Sequence, residues 1–305
     1  MFTVPVKYVD LLNIILILIT CTLAHVFPYH LLIFSYAVLG PAHYLTQISW
    51  LHDRRYFANS NFIAPALVTL SIVLLIMSLS AGTYTILSAA IVFSIAFWLA
   101  IMFTLPVDKI FYHSIAVAFG IFMIWLVTHS LNSALFMAIM LPTVMHVFVF
   151  TVAFMWLGAM KNHNLMAYLS VIAMLICAGT FFIPITSSTA APNLTGIVFF
   201  KPVIIFLQKI SGLSNASEAQ LFGFLSYAYT YHYLNWFSKA EVIHWNRIPR
   251  QRMQAIIVIY VIALLIYAYN YTVGFLIILL LSQLHVLMEF PLNLRTFVAL
   301  VRGRG

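Results

Sequence analysis

The sequence predicts an all-α fold, a polytopic transmembrane helical bundle of about ten spans with both termini in the cytoplasm. The composition, the near-continuous apolar stretches and the distribution of cations all point to this class. Hydrophobic residues make up 64% of the chain and charged residues only 7%, whereas soluble domains are about half apolar and about a quarter charged. This composition excludes a soluble protein.

The apolar stretches define the individual spans. A span needs about 20 apolar residues, and apolar runs broken by charges and turn residues supply ten of them. The first run is long for a signal-peptide core and lacks an A-x-A site, so we expect it to be a span. Pro41 and Pro142 fall inside spans and should disturb them. The predicted single transmembrane domain, 1–305, has spans at about 9–27, 30–52, 61–81, 83–106, 110–129, 133–160, 165–185, 219–237, 253–270 and 272–290.

The cations fix the predicted orientation. With the N-terminus inside, all of the 14 Lys and Arg except Lys201 and Lys209 fall in cytoplasmic segments, as the positive-inside rule requires. These two lie in the one long external loop, where apolar residues at helical spacing predict an interfacial helix at about 202–211. We therefore expect a multi-pass protein of a bacterial inner membrane. Its partner is expected to be the lipid bilayer, and no nucleic-acid partner is expected.

Eleven histidines are many for so apolar a chain, and four of them lie at least one turn inside four different spans. Ionisable groups at that depth are costly, usually face the bundle interior and mark functional sites. One such histidine alone is more typical of a hydrogen-bonded core group. Four at similar depth, beside acidic residues, indicate a shared metal or proton-handling site formed by His43, His146, His232 and His285.

Helical spacing places polar and aromatic residues beside these histidines. Glu289 follows His285 by one turn, and we predict that it is catalytic, as a fifth ligand or as a base that orients a ligand. Residues predicted to position oxygen or to contact the substrate are Gln47, Asn235, Trp236, Lys239 and Tyr231. Weaker metal candidates, near span ends or in loops, are His52, His113, Glu241 and His244.

The ligand type leaves several metals open, since imidazole suits zinc, copper, iron or nickel. A histidine-rich site with open positions in an apolar bundle favours non-haem iron and oxygen chemistry. Single histidines spread over the spans, with the segment HYLTQISWLHD ending span two, resemble the bacterial membrane carotene-cleaving dioxygenases of the Brp/Blh type. The resemblance implies an iron held by the same four histidines and oxidative cleavage of a carotenoid to retinal.

These observations predict a membrane-embedded iron oxygenase acting on a lipophilic substrate, a carotenoid or another lipid. Three alternatives use the same residues. A proton- or ion-coupled transporter would relay protons or bind its ion at the histidines. A haem protein would use two of them as axial ligands, and an assembly factor would keep them as core groups. Cys21 and Cys177 are predicted to be small core residues, and the substrate, the number of metals and the oligomeric state stay open.

Overall fold

The computed structural model describes residues 6–54, 63–79, 83–104, 110–183, 192–211 and 217–303, and no strand occurs in these ranges. The all-helical prediction is confirmed, and a helix lies over each predicted span and over the predicted external helix. This follows from chemistry, since a chain in hydrocarbon must bond its backbone groups internally. The helices are α1 Val6–Val26, α2 Pro28–Arg54, α3 Ile63–Leu79, α4 Thr83–Thr104, α5 Ile110–His129, α6 Leu131–Asn162, α7 Leu165–Thr180, α8 Lys201–Ser211, α9 Glu218–Ser238, α10 Arg250–Tyr269 and α11 Tyr271–Val301.

Five helices, α1, α2, α6, α10 and α11, are long and apolar enough to cross a membrane. Their outer faces are apolar as well. Only 11% of the apolar window of α10 is buried, and large exposed apolar surfaces on a folded chain mark contact with a partner or a membrane. The chain is therefore a membrane protein. That all ten spans cross, and that the termini face the cytoplasm, stay predictions.

Side-chain caps mark where several helices begin. Ser217 and Gln220 form a reciprocal capping box at the start of α9, and Asn164 accepts a backbone hydrogen bond at the start of α7. Asn270 is the single residue between α10 and α11 and caps the latter. Such caps satisfy backbone N–H groups that have no partner within the helix. The tight turn between these two helices is thus built by the asparagine itself.

The two prolines inside spans each lie at wide helical turns. In α2 a π-helical segment, Ser35–Leu39, directly precedes Pro41, and in α6 a π-helical segment, Phe136–Phe150, contains Pro142. Proline lacks an N–H and its ring clashes with the carbonyl one turn earlier. A wider turn relieves that clash, and π-helical turns occur frequently at functional sites. Both wide turns lie next to histidines of the predicted site.

The buried apolar residues form two clusters that share three helices. One cluster joins α1, α7, α8, α9 and α10, and the other joins α3, α4 and α5. Helices α2, α6 and α11 contribute residues to both, so they form the seam between them. Cys21 and Cys177 are both buried in the first cluster, as predicted.

Polar contacts gather the predicted cytoplasmic helix ends at one end of the bundle. Asn164 donates to Asp10 at 2.7 Å, which ties the start of α7 to the start of α1. Arg252 at the start of α10 contacts Asp53 near the end of α2 at 2.6 Å. At the opposite end, Lys209 donates to an asparagine at the start of α6. These contacts tie α7 to α1, α10 to α2 and α8 to α6.

The external helix α8 is present with its predicted apolar face, but that face packs on protein. Val203, Phe206 and Leu207 are buried in the first cluster, and Ile204 joins them. Ile205 on the other side is 64% exposed. Helix α8 therefore covers α6 and α9, in addition to any contact with the bilayer surface.

Candidate metal centre and adjoining cavity

Four histidines from four helices meet in the interior and form what we name the histidine cluster. They are His43 of α2, His146 of α6, His232 of α9 and His285 of α11, and their exposed fractions are 1%, 1%, 7% and 2%. The Nε2 atoms of His146 and His285 lie 3.1 Å apart. Those of His43 and His232 are also 3.1 Å apart. The sequence separations of the two pairs, 139 and 189 residues, show that only the fold brings them together.

This arrangement has the dimensions of a metal site. One nitrogen from each of His43, His146 and His285 lies within 4.8 Å of the others, so these three buried histidines could hold a metal ion. His232 is outside that group of three but touches His43. Two nitrogens 3.1 Å apart, each bonded to an ion at about 2.0–2.1 Å, subtend about 100° at the ion. That angle lies between those of octahedral and tetrahedral coordination.

Two of the rings have their protons fixed by partners outside the cluster. His285 Nδ1 faces the carbonyl oxygen of Leu281 at 3.3 Å and must donate to it, since a carbonyl only accepts. Thr151 Oγ1 donates to the Val147 carbonyl at 2.9 Å, so it accepts from His232 Nδ1 at 2.8 Å. With the proton on Nδ1, each neutral ring presents the Nε2 lone pair to the cluster.

The other two rings face a carboxylate and an amide. His146 Nδ1 lies 3.4 Å from Glu289 Oε2, and Gln47 interacts with both His43 and Glu289. His146 Nδ1 and Glu289 Oε2 form no hydrogen bond in the described part of the chain. A proton placed on Nδ1, facing the carboxylate, would leave a lone pair on His146 Nε2 opposite the lone pair of His285. Two lone pairs at 3.1 Å repel each other unless a cation lies between them. A buried metal ion would remove that repulsion, and orienting partners of this kind are typical of metal-binding histidines.

Aromatic side chains enclose the cluster. The Tyr44 ring stacks on His285 with centroids 4.3 Å apart, and its hydroxyl pairs with that of Tyr233 at 2.7 Å. Trp236 stands edge-on to His43 at 5.5 Å and donates its indole N–H to Thr46. These contacts restrict the imidazole rings and keep bulk water from them.

A cavity of about 270 Å³ opens beside the cluster. Its walls mix apolar groups, such as Phe154, Met155 and Leu292, with polar ones. The volume lies near the lower end of the roughly 300–1,000 Å³ typical of small-molecule sites. Most of the predicted substrate-contacting residues line it, namely Gln47, Asn235, Trp236 and Lys239, together with His43, His232 and Glu289.

The end of the cavity near the C-terminus of α9 is charged. Lys239 is half-buried there, and burial lowers the pKa of its ammonium to about 8, against the opposing attraction of Asp10. Nearer the cluster, Asn235 Oδ1 is buried and has no hydrogen-bond partner among the described residues. Buried polar atoms are normally paired, so this oxygen indicates a ligand or ordered water in the cavity.

The structure places the remaining predicted residues away from the cluster. Tyr231 is fully buried and does not line the cavity itself, but its hydroxyl donates to Asn13, which does. His52 is exposed and contacts its neighbour Asp53. Glu241 is half-buried near Arg247, and His244 is exposed with a φ of 58°. His113 belongs to α5, but its side chain lies outside the described residues.

Sequence patterns missed three residues that the structure adds. Thr151 follows His146 by five residues, which in a regular α-helix would place it about 140° around the axis. The wide turn of α6 allows both to point inward. Tyr44 is one of 16 tyrosines, and no sequence pattern distinguished it from the others. Asp10 lies in the first apolar stretch, and no sequence pattern linked it to the cavity.

Comparisons with protein-family models, with curated proteins and with solved structures found no match to this chain. The resemblance to carotene-cleaving dioxygenases is thus a prediction from the arrangement of the histidines.

Proposed function

We propose that this protein is a membrane-embedded oxygenase that uses a non-haem iron held by the histidine cluster and acts on a lipophilic substrate. One observation carries the proposal: nitrogens of three buried histidines, His43, His146 and His285, lie within 4.8 Å of one another beside an apolar-walled cavity. His232 contacts His43, and the Nδ1 atoms of His232 and His285 bond to acceptors outside the cluster. Neutral imidazoles are good ligands for iron, and open positions beside them suit oxygen chemistry.

Bound iron would supply the activation of dioxygen, and the residues of the chain would control its surroundings. Thr151 and the Leu281 carbonyl hold two imidazoles in the tautomer that binds a metal. Glu289 Oε2 faces His146 Nδ1 and would hold the proton there, which increases the basicity of the ligand nitrogen. The aromatic enclosure excludes water, which protects reactive groups from side reactions.

The substrate proposed is lipophilic because the cluster lies among membrane helices and the cavity has apolar walls. A carotenoid, as the resemblance implies, is one such substrate. A carotenoid is several times longer than the cavity, so most of its length would lie outside it.

Metal analysis of the purified full chain tests the proposal. After expression with ample iron, we expect about one iron per chain and no haem absorption. Alanine in place of any one of His43, His146, His232 or His285 should greatly reduce the iron content. His30→Ala and His129→Ala are matched controls, because both histidines are exposed, and they should retain it.

Protein without any metal would overturn the proposal. So would full iron content in three of the four cluster variants. A coupled transporter would instead show pH-dependent uptake into vesicles, and its metal content would not follow these substitutions as a group.

A further inference from the structure

The charged end of the cavity is connected to the histidine cluster by one helix face. His232 and Lys239 are seven residues apart, and both line the cavity. At about 1.5 Å of rise per residue, two turns separate them by roughly 10 Å along α9. The cavity therefore has a cationic end and a metal-binding end at a fixed distance.

The ammonium of Lys239 has no direct acceptor in the described part of the chain. Asp10 attracts it, but this carboxylate accepts from the Asn164 amide at 2.7 Å and forms no ion pair with Lys239 within the described ranges. Lys239 is half-buried and lines the cavity, so an anionic group in the cavity would be a direct acceptor for its ammonium.

The middle of the cavity has an acceptor that lacks a donor, the opposite of its charged end. Buried Asn235 Oδ1 lacks a donor among the described side chains, while Phe154, Met155 and Leu292 form apolar parts of the wall. A mainly apolar molecule would fit these walls if it carried one hydroxyl group, or left one water in place, to donate to the unpaired oxygen. The cavity volume of about 270 Å³ equals about nine waters at roughly 30 Å³ each, which limits the size of that molecule.

We propose that the cavity binds an amphiphile whose anionic head group pairs with Lys239 and whose apolar body, about eight to ten carbons long, reaches the histidine cluster. The length follows from roughly 10 Å divided by about 1.2 Å of extension per bond. As a substrate site it rests on the proposed function, but its binding can be measured without any reaction.

Tryptophan fluorescence reports binding because Trp50 and Trp236 line the cavity. The probe is 10-bromodecanoic acid, whose bromine quenches nearby indoles, and the uncharged partner is 10-bromodecanol. In the detergent-purified full chain we expect saturable quenching, with the acid bound about ten- to hundred-fold more tightly than the alcohol, as a charged hydrogen bond predicts. Trp50→Phe with Trp236→Phe should remove the saturable part.

Variants at Lys239 test the head-group contact. Lys239→Met should abolish the preference for the acid, and Lys239→Arg should preserve it. Lys161→Met is the matched control: it removes the same charge from an exposed site that does not line the cavity, so it corrects for attraction of the probe to the whole protein. Competition by decanoate and by decyl phosphate shows whether a carboxylate or a phosphate is preferred.

The outcomes separate the two proposals. Equal affinity of the wild type for acid and alcohol would overturn the amphiphile site, even if Lys239→Met fails to fold, and so would an equal loss in Lys161→Met. Selective binding by a chain that holds no metal would refute the oxygenase and leave this site standing. A chain that holds iron but shows no selective binding would refute the amphiphile site and leave the oxygenase proposal standing.

Discussion

Replacing Thr151 with valine keeps the shape of the side chain but removes the oxygen that accepts from His232 Nδ1 at 2.8 Å. The buried ring then has two choices. It can keep its proton on Nδ1 without a partner, which costs about 1–3 kcal/mol, or it can move the proton to Nε2 and cease to be a ligand. Loss of an orienting partner typically weakens metal binding about 10- to 100-fold. The cost of about 1–3 kcal/mol for the unpaired Nδ1 proton converts to a similar factor in affinity.

Chelator competition on the purified protein measures this loss directly. Thr151→Ser should retain wild-type affinity because its hydroxyl can make both hydrogen bonds. Thr296→Val is the matched control, since Thr296 is also buried on a membrane helix and donates to the carbonyl four residues earlier at 2.9 Å, but has no histidine contact. An equal effect of the two valine variants on metal affinity would refute the tautomer argument, and so would unchanged affinity in Thr151→Val.

Three further predictions concern packing, pH and orientation. Gly274→Ala should lower the free energy of unfolding in detergent by about 1–3 kcal/mol, because its Cβ would lie 2.5 Å from the Tyr267 ring, whereas Gly179→Ala meets nothing within 4 Å; equal melting temperatures would contradict this. Affinity for decanoate should be highest at neutral pH and fall as the pH rises through about 8 and Lys239 loses its proton, while Lys239→Arg should stay flat over that range. Cysteine at Arg247 should be labelled by a membrane-impermeant thiol reagent only from the cytoplasmic side and cysteine at Lys209 only from outside, and labelling of both from one side would refute the orientation.

The helices were predictable because one physical constraint dominates in a bilayer. Apolar stretches of the required length must be helical, and turn residues such as Asn270 show where they stop. The end of the last helix was less accurate: the span was predicted to end near 290, but α11 continues to Val301. Pro291 is tolerated inside it, and helix and membrane span need not end together.

The histidine cluster was predictable as a group because deeply placed histidines are rare and costly. Depth along the span does not reveal direction around the helix, however. The wide turn at Pro142 changes the angular relation of every residue beyond it, so the role of Thr151 was hidden. Tyr231 follows the same rule: it precedes His232 in sequence, but its hydroxyl bonds to Asn13 of α1, which lines the cavity. The cavity could not be predicted from the sequence either, because only folding brings Asp10 and Lys239 to the wall of the same cavity.

The seam position of the cluster has a thermodynamic consequence. Helices α2, α6 and α11 belong to both hydrophobic clusters, and each supplies one of the converging imidazoles. If the centre binds the proposed ion, its occupancy and the packing of the two clusters against each other are linked equilibria: the ion would stabilise the whole bundle by about 2.7 kcal/mol at a hundred times its dissociation constant. By reciprocity, any change that loosens the packing between the two clusters would weaken binding of the ion.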